Sequence, residues 1–180
     1  PIRDEQLQAI TSTQTTYIYD SKGNVIQKLT GKDNKDSELV TDQEIPQFLK
    51  DAIVAIEDER FYSHMGIDLK RIVSAGINFL TDSPSSHGGS TITQQVVKNV
   101  TEKKRRSLQR KVQEWYAAIQ LERRLEKWQI LELYMNISYW GNSCYGVQSA
   151  SKKYFGKPVQ ELSLAECALL AGITNNPGKY

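Results

Sequence analysis

The sequence predicts a mainly α domain with a small β-hairpin appendage at its N-terminus. Three observations carry that reading. From Ile45 onward, apolar residues recur at i, i+3 and i+4 in one segment after another. Breaker-rich stretches, such as residues 81–89 and Gly141-Asn142, separate those segments. The β-prone runs are confined to the start of the chain. A chain of 180 residues fits one domain plus a small appendage at roughly 150 residues per domain. Hydrophobic residues make up 39%, which excludes intrinsic disorder and low-complexity fibre. No stretch approaches the ~18 apolar residues of a membrane span, and no secretory leader is visible. The chain starts at Pro1 and stops after a turn-like Asn176-Pro177-Gly178 run. It therefore reads as a piece of a longer protein.

Residues 1–14 form a polar lead-in. Thr15–Tyr19 and Val25–Leu29 flank Asp20-Ser21-Lys22-Gly23-Asn24 and predict a hairpin with a glycine-containing turn. Gly31–Ser37 is a polar loop, so residues 1–44 are expected to be a linker and hairpin region, and 45–180 the domain proper. Pro46 suits a first helical turn, and Ile45, Phe48, Leu49, Ala52, Ile53 and Ile56 form the stripe behind it. A second helix carries Leu69, Ile72, Val73, Ile77 and Leu80, with Asp68 as N-cap. After Gly88-Gly89, Ser90 is expected to cap a helix through Lys98. A long helix follows over residues 105–125, with Leu108, Val112, Trp115 and Ile119 as its stripe. Further helices are expected at 127–137 and 145–154. Ser163-Leu164-Ala165-Glu166 is a capping box with Leu162 as staple, opening a last helix over 164–172.

The net charge of +2 implies no polyanionic partner by itself. The basic residues are unevenly spread, however: Lys98, Lys103, Lys104, Arg105, Arg106, Arg110 and Lys111 face only Glu102 in that window. Cys144 and Cys167 are too few for a disulfide framework and are expected as free thiols on helices. His64 and His87 lack metal-ligand spacing and are expected to bond locally.

Three segments could carry chemistry. On a continuous helix Ile53, Glu57 and Phe61 share one face, so Glu57 would lie along an apolar seam and suit proton transfer. Asp58 and Arg60 could orient it. The alternative is a helix ending near Ile56, with Glu57 a solvated terminal charge. In Gly88-Gly89-Ser90-Thr91-Ile92-Thr93-Gln94-Gln95, two glycines precede a new helix. Its free N–H groups and dipole suit phosphate or pyrophosphate, with Lys98 two turns further on. An ordinary capped helix after a loop explains the same residues. In Arg110-Lys111-Val112-Gln113-Glu114, the spacing gives either a surface ion-pair ladder or a carboxylate poised among cations. A hard divalent ion could bridge such a carboxylate and phosphate oxygens.

Together these segments are recognisable. Glu57-Asp58-Glu59-Arg60-Phe61-Tyr62-Ser63-His64-Met65-Gly66 resembles the first motif of the peptidoglycan glycosyltransferases, glycosyltransferase family 51. That family comprises the glycosyltransferase domains of class A penicillin-binding proteins and the monofunctional transglycosylases. Gly89-Ser90-Thr91-Ile92-Thr93-Gln94-Gln95 with Lys98 resembles the second motif, and Arg110-Lys111-Val112-Gln113-Glu114 the third. Lys127–Asn136 resembles the fourth, with Met135 where leucine is common, and Gly141–Ala150 the fifth. Trp140 stands where the family often has arginine, so no role for that arginine carries over.

The resemblance implies a lysozyme-like, two-lobed helical fold with one small lipid-contacting lobe. It implies an enzyme on the extracytoplasmic face of the plasma membrane, anchored by an N-terminal helix outside this piece. The implied reaction polymerises lipid II into β-1,4 glycan strands. A growing glycan on undecaprenyl pyrophosphate is the donor, and the 4-hydroxyl of the GlcNAc of lipid II attacks with inversion. Glu57 is expected as the base, and Asp58 stands with the substrate-binding residues. Lys98, Arg106, Arg110, Lys111 and Glu114 are expected at the leaving pyrophosphate, with Mg²⁺ or Mn²⁺ held by Glu114. Ser90, Thr91, Gln94 and Gln95 are expected to line the cleft. The implied partners are lipid II, the lipid-linked glycan and the membrane surface; other cell-wall synthesis proteins are possible partners, and nucleic acid is not one.

Two other readings compete. Two carboxylates in such a cleft could hydrolyse glycan with water as acceptor, although a hydrolase has no pyrophosphate for the cations to meet. The basic run alone suits a nucleic-acid module, but that leaves Glu57 and the Gly88-Gly89 loop unexplained.

Overall fold

The computed structural model describes residues 16–19, 25–29, 36–74, 89–101 and 108–175. The architecture is mainly α. Thr16–Tyr19 (β1) pairs antiparallel with Val25–Leu29 (β2). Asp36–Ser37 (β3) pairs in parallel with Cys144–Tyr145 (β4), a long-range contact with no local signal in the sequence. The helices are Gln47–Glu57 (α1), Ile92–Thr101 (α2), Leu108–Glu122 (α3), Lys127–Ile137 (α4), Val147–Phe155 (α5) and Leu164–Asn175 (α6). Residues 69–74 are helical as well. Asp68 caps that stretch as expected, its Oδ1 accepting the Arg71 N–H at 3.2 Å. Among the described residues no helix is long and apolar enough to cross a membrane.

Helix α6 lies along α1, while α2 packs on both α3 and α4. Between them they bury Leu49, Ile53, Ile92, Val96, Ala118, Leu121, Ile130, Leu131, Leu170 and Ala171. Phe61 and Trp140 are fully buried beside these helices. Val40, in the segment ahead of α1, is buried in the same core. Asn136, buried on α4, accepts the Val40 N–H at 2.9 Å and donates to the Val40 carbonyl at 2.7 Å. It thereby pairs with that segment as a neighbouring strand would. Gly146, at φ +85°, lets the backbone pass under this joint; a Cβ there would meet the Asn136 carbonyl oxygen at 2.7 Å.

Several expected elements move. Phe48 is 58% exposed, because the buried face of α1 centres on Leu49, Ile53 and Val54 and leaves Phe48 at its margin. α1 stops at Glu57: Asp58 takes φ −158° and ψ 70°, which is not helical. Glu57 and Phe61 therefore do not share a helical face, and Phe61 sits in a separate 3₁₀ turn. α2 is capped by Thr91, not Ser90, with the Gln94 N–H donating to the Thr91 Oγ1 at 3.1 Å, and it runs past Lys98 to Thr101. The buried face of α3 is Glu114, Ala117, Ala118 and Leu121, whereas Val112 is 59% exposed. Of the anticipated stripe, Trp115 and Ile119 are partly buried at the edge of this face, and Val112 alone is shown exposed. Cys144 lies in β4, not on a helix; both cysteines are free and buried.

The capping box of α6 forms as expected. Ser163 donates from both its N–H and its hydroxyl to Glu166 at 2.7 Å. Lys157, first, and then those two bonds pull the Glu166 carboxyl down to about 2.

Candidate active site

Glu57 ends α1 half-buried. Its Oε2 accepts from Gln95 Nε2 at 2.8 Å, and its Oε1 lies 3.0 Å from the hydroxyl of Thr174 on α6. Neither anticipated environment is realised: the carboxylate is neither on an apolar seam within a continuous helix nor a solvated helix end. It is gripped from both sides by neutral polar groups of α2 and α6.

Asp58 departs from its expected place among the substrate-binding residues. It is 0% exposed, and both oxygens are bonded within the protein. Oδ2 accepts from the Ile92 N–H at 2.9 Å and lies 2.9 Å from His64 Nε2. Oδ1 is 3.4 Å from Arg71 Nη1. Gly66 donates its N–H to His64 Nδ1 at 3.1 Å, so a neutral ring carries its proton on Nε2, facing Asp58. Arg71 also donates to the Glu57 carbonyl at 2.7 Å, closing the C-terminal end of α1. Arg60 does not orient Glu57 either: its guanidinium binds Asp68 at 2.7 Å. Burial opposes ionisation of Asp68, but Arg60 and the backbone N–H bonds outweigh it and hold the carboxyl below its usual range.

A second cluster forms around Lys111. Its ammonium donates to Glu114 Oε1 at 2.5 Å, to Ser90 Oγ at 2.9 Å and to Gln94 Oε1 at 3.3 Å. Arg110 Nη2 stands 3.7 Å from the other oxygen of Glu114, which is buried. The anticipated ladder is therefore real but faces inward. Gln94 is 1% exposed, and its Nε2 has no acceptor among the described residues. A buried donor left open beside a lysine has the polarity that an anionic group satisfies.

The N-terminal half of α2 joins the two clusters, with Gln94 on the Lys111–Glu114 side and Gln95 on Glu57. Thr91, expected to line the site, is buried; its hydroxyl donates to the Gly66 carbonyl at 2.7 Å as well as capping α2. Lys98 is exposed, one turn beyond Gln94 on the same helix. Ile77, Leu80, His87, Gly88 and Arg106 lie outside the described residues.

Glu114, expected as a metal ligand, is met here by protein cations. Both of its oxygens face cations, and no group of three or more His, Cys, Asp or Glu converges among the described residues.

Sequence reasoning missed Thr174, which is 117 positions from Glu57. It also missed what Lys127 does. That ammonium donates to Glu122 and to the His64 carbonyl, both at 2.7 Å, and sits 4.4 Å from the centre of the Phe61 ring. Thr93 completes the group with a 2.6 Å bond to Glu122. No local pattern signals contacts of this range.

Known proteins supply the context. Residues 22–180 match the family model described as Transglycosylase. The chain is 42% identical over 178 residues to penicillin-binding protein 1A of Clostridium botulinum strain Langeland, covering 96% of this chain and 21% of that protein. It is 44% identical over 137 residues to penicillin-binding protein 1A of Pseudomonas aeruginosa, covering 76% and 17% respectively. A crystal structure of penicillin-binding protein 1A from Haemophilus influenzae aligns over 92% of this chain and 14% of its own, at 23% identity and a TM-score of 0.44. The chain thus spans about a fifth of the length of such curated relatives. With one family model accounting for everything from residue 22 to residue 180, this chain belongs to the transglycosylase family.

Proposed function

We propose that this domain is a peptidoglycan glycosyltransferase that polymerises lipid II, with Glu57 as base and the Lys111 cluster at the leaving pyrophosphate. One observation supports this above others: consecutive residues of α2 reach the two groups that the reaction requires, Gln95 holding Glu57 and Gln94 meeting Lys111.

In the proposed step the acceptor GlcNAc 4-hydroxyl gives its proton to Glu57 as its oxygen bonds to the anomeric carbon of the donor. The bond from that carbon to the pyrophosphate breaks, and attack from the opposite face turns an α-phosphate into a β-1,4 glycoside. Each carboxylate oxygen of Glu57 keeps a lone pair beyond the bonds to Gln95 and Thr174, so the base stays accessible while its orientation is fixed. Charge growing on the departing pyrophosphate meets Lys111 and Arg110, with Lys98 and Arg106 assigned to the same anion. Pyrophosphate can replace Ser90 and Gln94 as neutral acceptors of Lys111, while Glu114 keeps the ammonium in place.

A divalent cation enters this proposal as a companion of the pyrophosphate, supplying charge neutralisation there, since Glu114 alone is a thin donor set. Chelation is then expected to slow polymerisation without lowering the melting temperature of the free protein.

The test is incubation with labelled lipid II, followed by muramidase digestion of the polymer. Lys111→Met is expected to lower kcat/KM by about 10²-fold. Polymerisation at the wild-type rate would remove Lys111 from the anion site.

We also place this domain at the membrane surface, in a protein anchored outside this piece on the extracytoplasmic face. On the helical residues 69–74, Leu69 is 67% and Val73 60% exposed, one turn apart, and nearby Met65 is 66% exposed. The double substitution Leu69→Ser/Val73→Ser is expected to weaken liposome binding severalfold while the melting temperature stays put. A large fall in melting temperature with liposome binding intact would make these residues packing residues instead.

A further inference from the structure

We propose that Thr174 is a positioning residue for Glu57, holding its carboxyl in one orientation both before and after it takes the acceptor's proton. This rests on the reading of Glu57 as the base. The Thr174 hydroxyl oxygen lies 3.0 Å from Glu57 Oε1 and 2.7 Å from the Ala171 carbonyl oxygen. A hydroxyl has one proton and can accept as well as donate, so it cannot donate to both oxygens at once. While Glu57 is a carboxylate, the hydroxyl donates to Oε1 in a charge-assisted bond. Once Glu57 carries a proton, the carboxyl can donate into Thr174 Oγ1, and the threonine proton turns to Ala171, the usual back-bond of a threonine within a helix. The same pair of oxygens is therefore bonded in both charge states, and neither heavy atom has to move.

Gln95 cannot do this alone. Its Nε2 is a donor only, and it reaches only Oε2. Without a partner on Oε1 the carboxyl can swing about that single bond, and a base displaced by an ångström loses much of its advantage. Thr174 can act at this distance because α6 lies along α1, which brings the last turn of one helix to the last residue of the other. The other groups of Glu57 are already committed, its carbonyl to Arg71 and its Oε2 to Gln95.

The experiment compares Thr174→Val, Thr174→Ser and Glu57→Gln in lipid II polymerisation, with kcat, KM and melting temperature measured for each. Valine keeps the shape and removes the hydroxyl; serine restores the hydroxyl. Thr174→Val is expected to lower kcat by about 10-fold to 100-fold with KM nearly unchanged, and Thr174→Ser to recover most of the loss. Wild-type kcat in Thr174→Val overturns the inference. So does a Thr174→Ser protein as slow as Thr174→Val, which would make the methyl group the cause. A defect confined to KM would mean that Thr174 contacts substrate instead. If Glu57→Gln itself polymerises normally, the reading of Glu57 has failed, whatever Thr174 does.

Discussion

Glu57→Gln is expected to stop glycan chain growth, lowering kcat by about 10²-fold to 10⁴-fold, with the melting temperature close to wild type. The structure explains why the fold should tolerate it. The amide oxygen can face Gln95 Nε2 and accept as the carboxylate did. The amide nitrogen can donate to Thr174 Oγ1, whose own proton then goes to Ala171. Every local bond has a counterpart, and only the ability to take a proton is lost. Glu114→Gln is expected to be milder and to act through Lys111, which would lose its charged partner while keeping Ser90 and Gln94. The measurement is polymerisation of labelled lipid II by both variants. Substantial activity in Glu57→Gln alongside a dead Glu114→Gln would exchange the two roles.

Asp58→Ala is expected to destabilise the domain by about 3–5 kcal/mol, the range for removing one member of a buried charged network. Its two oxygens serve the Ile92 N–H, the His64 ring and the Arg71 guanidinium, and none of the three can reach full hydration in the folded chain. Asp58→Asn keeps the volume and one acceptor and should lose less. Urea unfolding is the check: a fall of under about 1 kcal/mol, the scale of an exposed ion pair, would show that the network is not needed. Activity is expected to fall with stability, since Asp58 adjoins Glu57 and fixes the start of α2.

The helices were legible because their apolar spacing is a local property. Lys127–Ile137 and the capping box at Ser163 and Glu166 stand where the pattern put them. Helix ends were less legible. Thr91 displaced Ser90 as cap because its hydroxyl is the one placed to meet the Gln94 N–H, a choice between two neighbouring hydroxyls that composition cannot make. The face of α3 was misjudged because Glu114 is buried; a helical stripe drawn from apolar residues alone cannot include a carboxylate paired with Lys111. Around the candidate site, the motif resemblance singled out Glu57, Gln95 and Lys111. It did not reveal that Asp58 is internal, nor that Thr174 closes on Glu57, because both follow from contacts between distant segments.

The bond from the Ile92 N–H to Asp58 also sets how this domain can open. The first amides of a helix have no carbonyl within the helix to bond, and in most helices they exchange with solvent through local fraying. Here the first amide of α2 is buried and held by a side chain 34 positions away. Deuterium can reach it only when the end of α1, the His64 turn and the head of α2 come apart together. Residues on both sides of the long connection between these helices thus form one cooperative unit, and it includes the first turn of α2 that carries Gln95.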